Sequence, residues 1–158
     1  MSAIRPVAIG GYTLIELVMT IVIIGILGAV AAPKLFGDGV FQSRGFADRL
    51  KSVLRDAQKL AVAKNRFVCV EISAHEIALS YDEIAPTAAH PAASCPGASL
   101  ADPAGHTPYR VAAPRGIEIG GATSFYFDSV GRPSAMQRIA IGGYGAPVVV
   151  EAETGYVH

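Results

Sequence analysis

Charge is scarce in this chain of 158 residues: Asp, Glu, Lys and Arg together make up 16%, against 51% hydrophobic residues. Globular domains carry roughly a quarter charged residues, so the chain is too apolar for an ordinary soluble protein, and disorder is excluded as a description of the whole. Neither sign of charge is in excess, because 13 basic residues balance 13 acidic ones. No global basic field therefore marks a nucleic-acid binder or a receptor for acidic substrates. Cysteine is limited to Cys69 and Cys95; two thiols cannot build a four-cysteine zinc site or a disulfide-dense scaffold, but they can form one bridge in an oxidising compartment. Catalytic signatures are missing too. There is no G-x-S-x-G elbow and no H-E-x-x-H helix, and Gly142-Gly143-Tyr144-Gly145 lacks both phosphate-loop spacing and a following helical pattern, which makes it a hairpin turn. His90, Cys95 and His106 match no compact zinc spacing and read as surface residues of a loop. The chain is expected to be no enzyme and to hold neither cofactor nor metal.

The apolar residues are concentrated at one end. Residues 17–32 contain no charge, and with Tyr12 to Ile15 the run is interrupted only by Glu16. At 1.5 Å per residue such a helix is about 31 Å long, the thickness of a bilayer's hydrocarbon. Upstream stand eleven residues with one Arg and no acid, which suits a cytoplasmic leader, so the expectation is a single-pass segment with the rest of the chain outside. Ala29-Val30-Ala31 also has the form of a signal-peptidase site, which would release a secreted β-domain. Glu16 speaks against that alternative: a carboxylate in an apolar run costs about 2.5–3.5 kcal/mol at mid-helix on insertion scales, less near an interface, and asks for a functional explanation.

Gly11-Tyr12-Thr13-Leu14-Ile15-Glu16-Leu17, followed by the apolar helix and Pro33, resembles the class III signal of type IV pilins and of the pseudopilins of type II secretion. The resemblance implies cleavage by a prepilin peptidase between Gly11 and Tyr12 and methylation of the new amino group. Glu16 then stands at the fifth mature position and Pro33 at the twenty-second, as in that family. Tyr12 departs from the commoner Phe at the first mature position and keeps an aromatic ring. By the same resemblance Glu16 pairs with the terminal amine of a neighbouring subunit, a register device held by one buried charge pair.

Beyond Pro33 the period is helical. Phe46, Leu50, Val53, Leu54, Ala57, Leu60, Ala61 and Lys64 share one face, with Arg49, Lys51, Arg55, Asp56 and Lys59 elsewhere around the wheel. Gly37, Asp38 and Gly39 make a weak point where a bend or local melting is expected. A helix running from Tyr12 to about Asn65 would be about 80 Å long, too long to bury within one small domain.

From Arg66 the period becomes two. Phe67 to Ile72 alternates, and the runs 77–81, 109–112, 117–119, 124–127, 139–141 and 148–150 follow between Gly and Pro. The fold class expected is α+β, a long N-terminal helix packed on an antiparallel sheet. Its parts are a leader over 1–11, a transmembrane and assembly helix over 12–33, an amphipathic stem over 34–65 and a β-rich periplasmic head over 66–158. Residues 85–108 are rich in Pro and Ala, show no period and read as a long loop. Cys95 lies in this loop and Cys69 in the first strand, so a periplasmic disulfide between them would tether it.

The run Phe125 to Pro133 and the close Glu153 to His158 are similar to the tail of the subfamily that includes the H component of type II secretion (GspH) and the FimT and FimU minor pilins. Ala32-Pro33-Lys34, the two cysteines and the close Thr154 to His158 look most like minor pilins of mannose-sensitive haemagglutinin (MSHA) systems. What this implies is a structural subunit of a pilus or pseudopilus, at the tip or in priming. It would be held in the inner membrane before assembly, with other pilin or pseudopilin subunits, the prepilin peptidase and the inner-membrane assembly platform as partners. Some FimT-like members bind DNA through a basic C-terminal region. Here residues 34–66 hold eight basic residues against three acidic, a net of +5, whereas residues 67–158 hold four against nine, a net of −5. An acidic head without a Gly-Arg-x-Arg tail is a poor phosphate binder, so nucleic acid is not an expected partner.

Overall fold

The computed structural model describes residues 11–35 and 38–158. The leader expected over 1–11 therefore lies outside the described residues except for Gly11, and so do Phe36 and Gly37 at the expected bend. The chain divides after Asp38 into two units.

The first unit contains α1, Leu14–Leu35. Thr13 starts it: the Glu16 amide donates to the Thr13 hydroxyl at 3.3 Å and to the Thr13 carbonyl at 3.1 Å. Thr-x-x-Glu is the spacing of a capping box, in which the first side chain receives an otherwise orphaned amide. The helix expected over 12–33 accordingly begins two residues later. Every described side chain from Tyr12 to Val30 is exposed. Among the described residues no helix is long and apolar enough to cross a membrane.

The second unit is α+β. Its helix α2, Asp38–Lys64, buries Phe46, Ala47, Leu50, Val53, Leu54, Ala57 and Ala61, spaced three, four and seven apart as one helical face requires. These side chains share a single core with Val68, Val70, Ile77, Leu79, Phe125, Phe127, Ile139, Val148 and Val150 from the strands. The stem expected over 34–65 is thus shorter, with Lys34 in α1 and Asn65 beyond the end of α2. Asn65 takes φ 50°, its amide reaches the Val62 carbonyl and the Arg66 amide reaches that of Ala61. That pair of bonds is a Schellman stop, for which Asn is the usual substitute for Gly.

Eight strands follow: β1 Val68–Ile72, β2 Glu76–Tyr81, β3 Ala98–Ser99, β4 Arg110–Ala112, β5 Ile119–Gly120, β6 Phe125–Phe127, β7 Gln137–Ile141 and β8 Val148–Val150. They form two antiparallel sheets. In the first, β1 lies between β2 and β6, and the outer edge of β2 is shared end to end by β4 on Glu76 to Ala78 and β3 on Ser80 and Tyr81. In the second, β7 lies between β5 and β8. The hairpin turn Gly142 to Gly145 joins β7 to β8, and the fully buried Ser43 of α2 donates to the Gly143 carbonyl at 3.0 Å.

Residues 85–108 depart from the structureless loop expected there, because they contain β3 and a two-residue bridge between Thr87 and His90. Unpaired amides and carbonyls along β2 need partners, and two residues suffice to supply them without leaving any periodicity in the sequence. The C-terminal residues likewise add to β8: Val149 and His158 exchange both backbone hydrogen bonds, at 2.9 and 3.0 Å. Arg55 and Gln58 of α2 hold this tail, donating to the carbonyls of Val157 and Thr154, each at 2.9 Å. Gly155, at φ +65°, passes so close to Gly131 and Gln58 that a Cβ there would meet the Gly131 carbonyl, so both conformation and contact require glycine.

Candidate functional site

Two places concentrate what the fold leaves without an internal explanation. The first is α1. Burial of apolar side chains is the main favourable term in folding, yet Leu14, Ile24, Leu27 and Val30 are 81%, 68%, 62% and 66% exposed. Such a surface marks an interaction site. Its polar groups are few: the Thr20 hydroxyl donates to the Leu17 carbonyl at 2.8 Å, a back-bond that satisfies it within the helix. Glu16 carries the one ionisable carboxylate among the described side chains of α1, and that carboxylate is exposed. Gly11 and Tyr12 precede the cap, with Tyr12 81% exposed. Pro33 lies in the last turns of α1, and its side chain is outside the described residues.

The second is the loop over the first sheet. Cys69, fully buried in β1, and Cys95, exposed in the loop, form a disulfide with Cα atoms 5.9 Å apart. Beside it Asp82 is buried at 3% exposure. Its carboxylate accepts the Ser94 amide at 2.7 Å and the Ile84 amide at 2.9 Å, and lies 2.6 Å from Nε2 of His90. The His90 ring in turn meets Phe67 edge-on, with centroids 5.9 Å apart. His90 is therefore packed into the loop's attachment and is no surface residue, a correction that follows from the need of a buried carboxylate for donors. His106 bonds separately to Asp102 at 3.0 Å. The three residues considered as metal ligands are thus engaged apart, and no group of acidic, His or Cys side chains able to hold a metal occurs among the described residues.

Burial pushes the Asp82 carboxyl up, but the Ser94 amide, the His90 ring and the Ile84 amide together outweigh it and hold the group below its ordinary value of 3.8. A carboxyl lower in the folded than in the unfolded chain stabilises the fold above the unfolded value, and that stability is lost as pH falls through the folded one. We expect the head's unfolding midpoint to drop on acidification below about pH 4, and Asp82→Asn to flatten that acid limb while lowering stability at pH 7. Equal pH dependence of the two proteins by circular dichroism would refute the assignment.

A groove of about 310 Å³ runs beside α2, lined by Asp56, Leu60, Asp102, Pro103 and Tyr109. The Tyr109 hydroxyl donates to Asp56 at 3.2 Å. Burial, and then the Asp56 charge, push its pKa up to about 12, so it stays a donor and is no base at neutral pH.

Asp82 and Tyr109 were not singled out by the sequence, and His90 was weighed there only as a metal ligand or a surface residue of the loop. Asp82 and His90 sit in polar, aperiodic surroundings, and only the close of the loop onto the sheet brings them together. No family model, no curated protein and no solved structure matches the chain.

Proposed function

We propose that the chain is a structural subunit of the type IV pilin kind, resembling GspH/FimT-type minor pilins and nearest to those of MSHA systems, and that it enters a pilus or pseudopilus through α1. The observation that carries this reading is a helix of apolar side chains, all exposed where described, that opens on Tyr12-Thr13-Leu14-Ile15-Glu16. A helix apolar all round needs lipid or other helices around it. A membrane supplies the first before assembly and neighbouring subunits the second afterwards. Glu16 then finds its partner in the terminal amine of the next subunit, once cleavage after Gly11 has made that amine. The compact α+β unit gives the surface carried outside.

The test is the intact mass and N-terminal sequence of the protein purified from membranes of cells that contain a prepilin peptidase. The expected product begins at N-methyl Tyr12 and is two hydrogens light for the Cys69 to Cys95 bridge. A chain beginning at Ala32 and recovered from the periplasm overturns the filament reading in favour of a secreted β-domain.

A further inference from the structure

Between residues 39 and 66 stand seven basic residues and two acidic ones, and between 67 and 158 four basic and nine acidic. The helical part of this unit and the head are thus equally and oppositely charged, at +5 and −5. They lie in one compact unit, yet they do not neutralise each other. All five close contacts between a cationic or imidazole nitrogen and a carboxylate among the described residues join partners within 76–158: Arg110 with Glu76, Arg132 with Asp128, and three histidines with Asp82, Asp102 and Glu151. None involves α2.

On α2 the cations are aligned. Arg44, Lys51, Arg55 and Lys59 follow at spacings of seven, four and four, which places them along one side of the helix; Arg44, Arg55 and Lys59 are exposed, while Lys51 is half-buried over the Tyr144 ring and Arg55 also donates to the Val157 carbonyl. Lys51, Arg55 and Lys59 are like charges one turn apart, an arrangement that works against the isolated helix. The same face ends in apolar side chains, Phe41 at 81% and Val62 at 51% exposure. A cationic row flanked by exposed apolar groups has the composition of an interface whose partner is acidic at its centre.

We propose that this face of α2 docks the acidic head of a second copy of the chain. Charge complementarity carries the choice of occupant: the carboxylates left without a cation among the described residues include Glu83, Glu118 and Glu153, all exposed, and they equip the same chain to supply the carboxylates that the row lacks within its own copy. Glu83 is followed by Ile84 at 55% exposure and Glu153 is close to Tyr156 at 60%, so acid and apolar groups occur together on the head as on the helix. The contact is heterologous, helix face to head, and so propagates rather than closes into a symmetric pair. This inference deepens the filament reading and rests on it for the alignment of copies.

The experiment mixes ¹⁴N and ¹⁵N full-length chain in detergent micelles and couples amines to carboxylates with a zero-length carbodiimide. Mixed-isotope links from Lys51 or Lys59 to Glu83, Glu118 or Glu153 are expected, falling about tenfold in yield from 0.05 to 1 M salt as screening shortens to about 3 Å, and absent from the Lys51→Glu, Lys59→Glu variant. Links confined to single copies, absent altogether or insensitive to salt overturn the proposal. So does salt-dependent sedimentation of the chain with anionic but not neutral vesicles through the same lysines, which would make a lipid surface the partner. Loss of the links with normal processing at Tyr12 defeats this inference alone, whereas a chain starting at Ala32 defeats the filament reading itself.

Discussion

Glu16→Gln is expected to leave the head folding as the wild type does and to reduce incorporation of the chain into filaments by two to three orders of magnitude. The size follows from the proposed partnership: breaking a buried ion pair costs about 3–5 kcal/mol because the remaining charge is stranded, and each 1.4 kcal/mol is a factor of ten. Gln is chosen because it keeps the size of the side chain and removes only its charge. The bond on view at Glu16 is that of its backbone amide to the Thr13 hydroxyl, which any such substitution keeps. A purely local role therefore predicts no loss with Gln, whereas the charge-pair role predicts nearly the full loss, and the same loss with Glu16→Ala. Pulldown of the variant with sheared filaments, alongside a melting curve of the head, separates the two; wild-type incorporation of Glu16→Gln removes the register role.

Removing the disulfide is expected to have the largest effect on the head itself. Cys69 and Cys95 are 26 residues apart, for which the chain-entropy model gives about 3–4 kcal/mol, and in a domain of this size that lowers the melting midpoint by roughly 10–20 °C. The loss is also local. With the tether cut, the attachments left to the loop are β3 on β2, the Gly97 amide on the Ser80 hydroxyl at 3.2 Å and the donors around Asp82. Hydrogen exchange in the Cys69→Ala, Cys95→Ala double variant should rise first between residues 82 and 99 and leave α2 and β7 nearly unchanged. A uniform rise would mean that the bridge supports the whole core, and an unchanged midpoint that the loop stands without it.

How much of this was legible without coordinates depends on the range of the interaction. The inward face of α2 is visible in the spacing of Phe46, Leu50, Val53, Leu54, Ala57 and Ala61, because a helix imposes its own period on whatever packs against it. The alternation over 67–72 and the β-rich runs 77–81 and 139–141 mark three strands in the same way, although the last begins two residues earlier, at Gln137. The start of α1 is readable once Thr13 and Glu16 are taken as a box, and the end of α2 once Asn65 is taken as a left-handed stop. Two-residue strands such as Ala98–Ser99 and Ile119–Gly120 carry no period, and their existence depends on which edge is left open beside them. His90 looked exposed because its neighbours are Ala, Pro and Thr; it is engaged because Asp82 eight residues earlier is buried and needs donors. The division of the strands into two sheets was likewise hidden, since alternation marks a strand and not its neighbours.

Residue order is enough to give the inventory of parts: an apolar helix with one carboxylate, an amphipathic helix, a β-rich remainder of opposite charge, and one possible disulfide. All of these are local or additive properties, written in spacing and charge. Tertiary structure alone decided that Cys95, His90 and Ser94 converge on β1 and Asp82, that the tail pairs with β8 under Arg55 and Gln58, and that the cations of α2 find no carboxylate in their own head. Each of those depends on closing long stretches of chain onto one another, a choice made by the shared core and not by any segment that takes part in it.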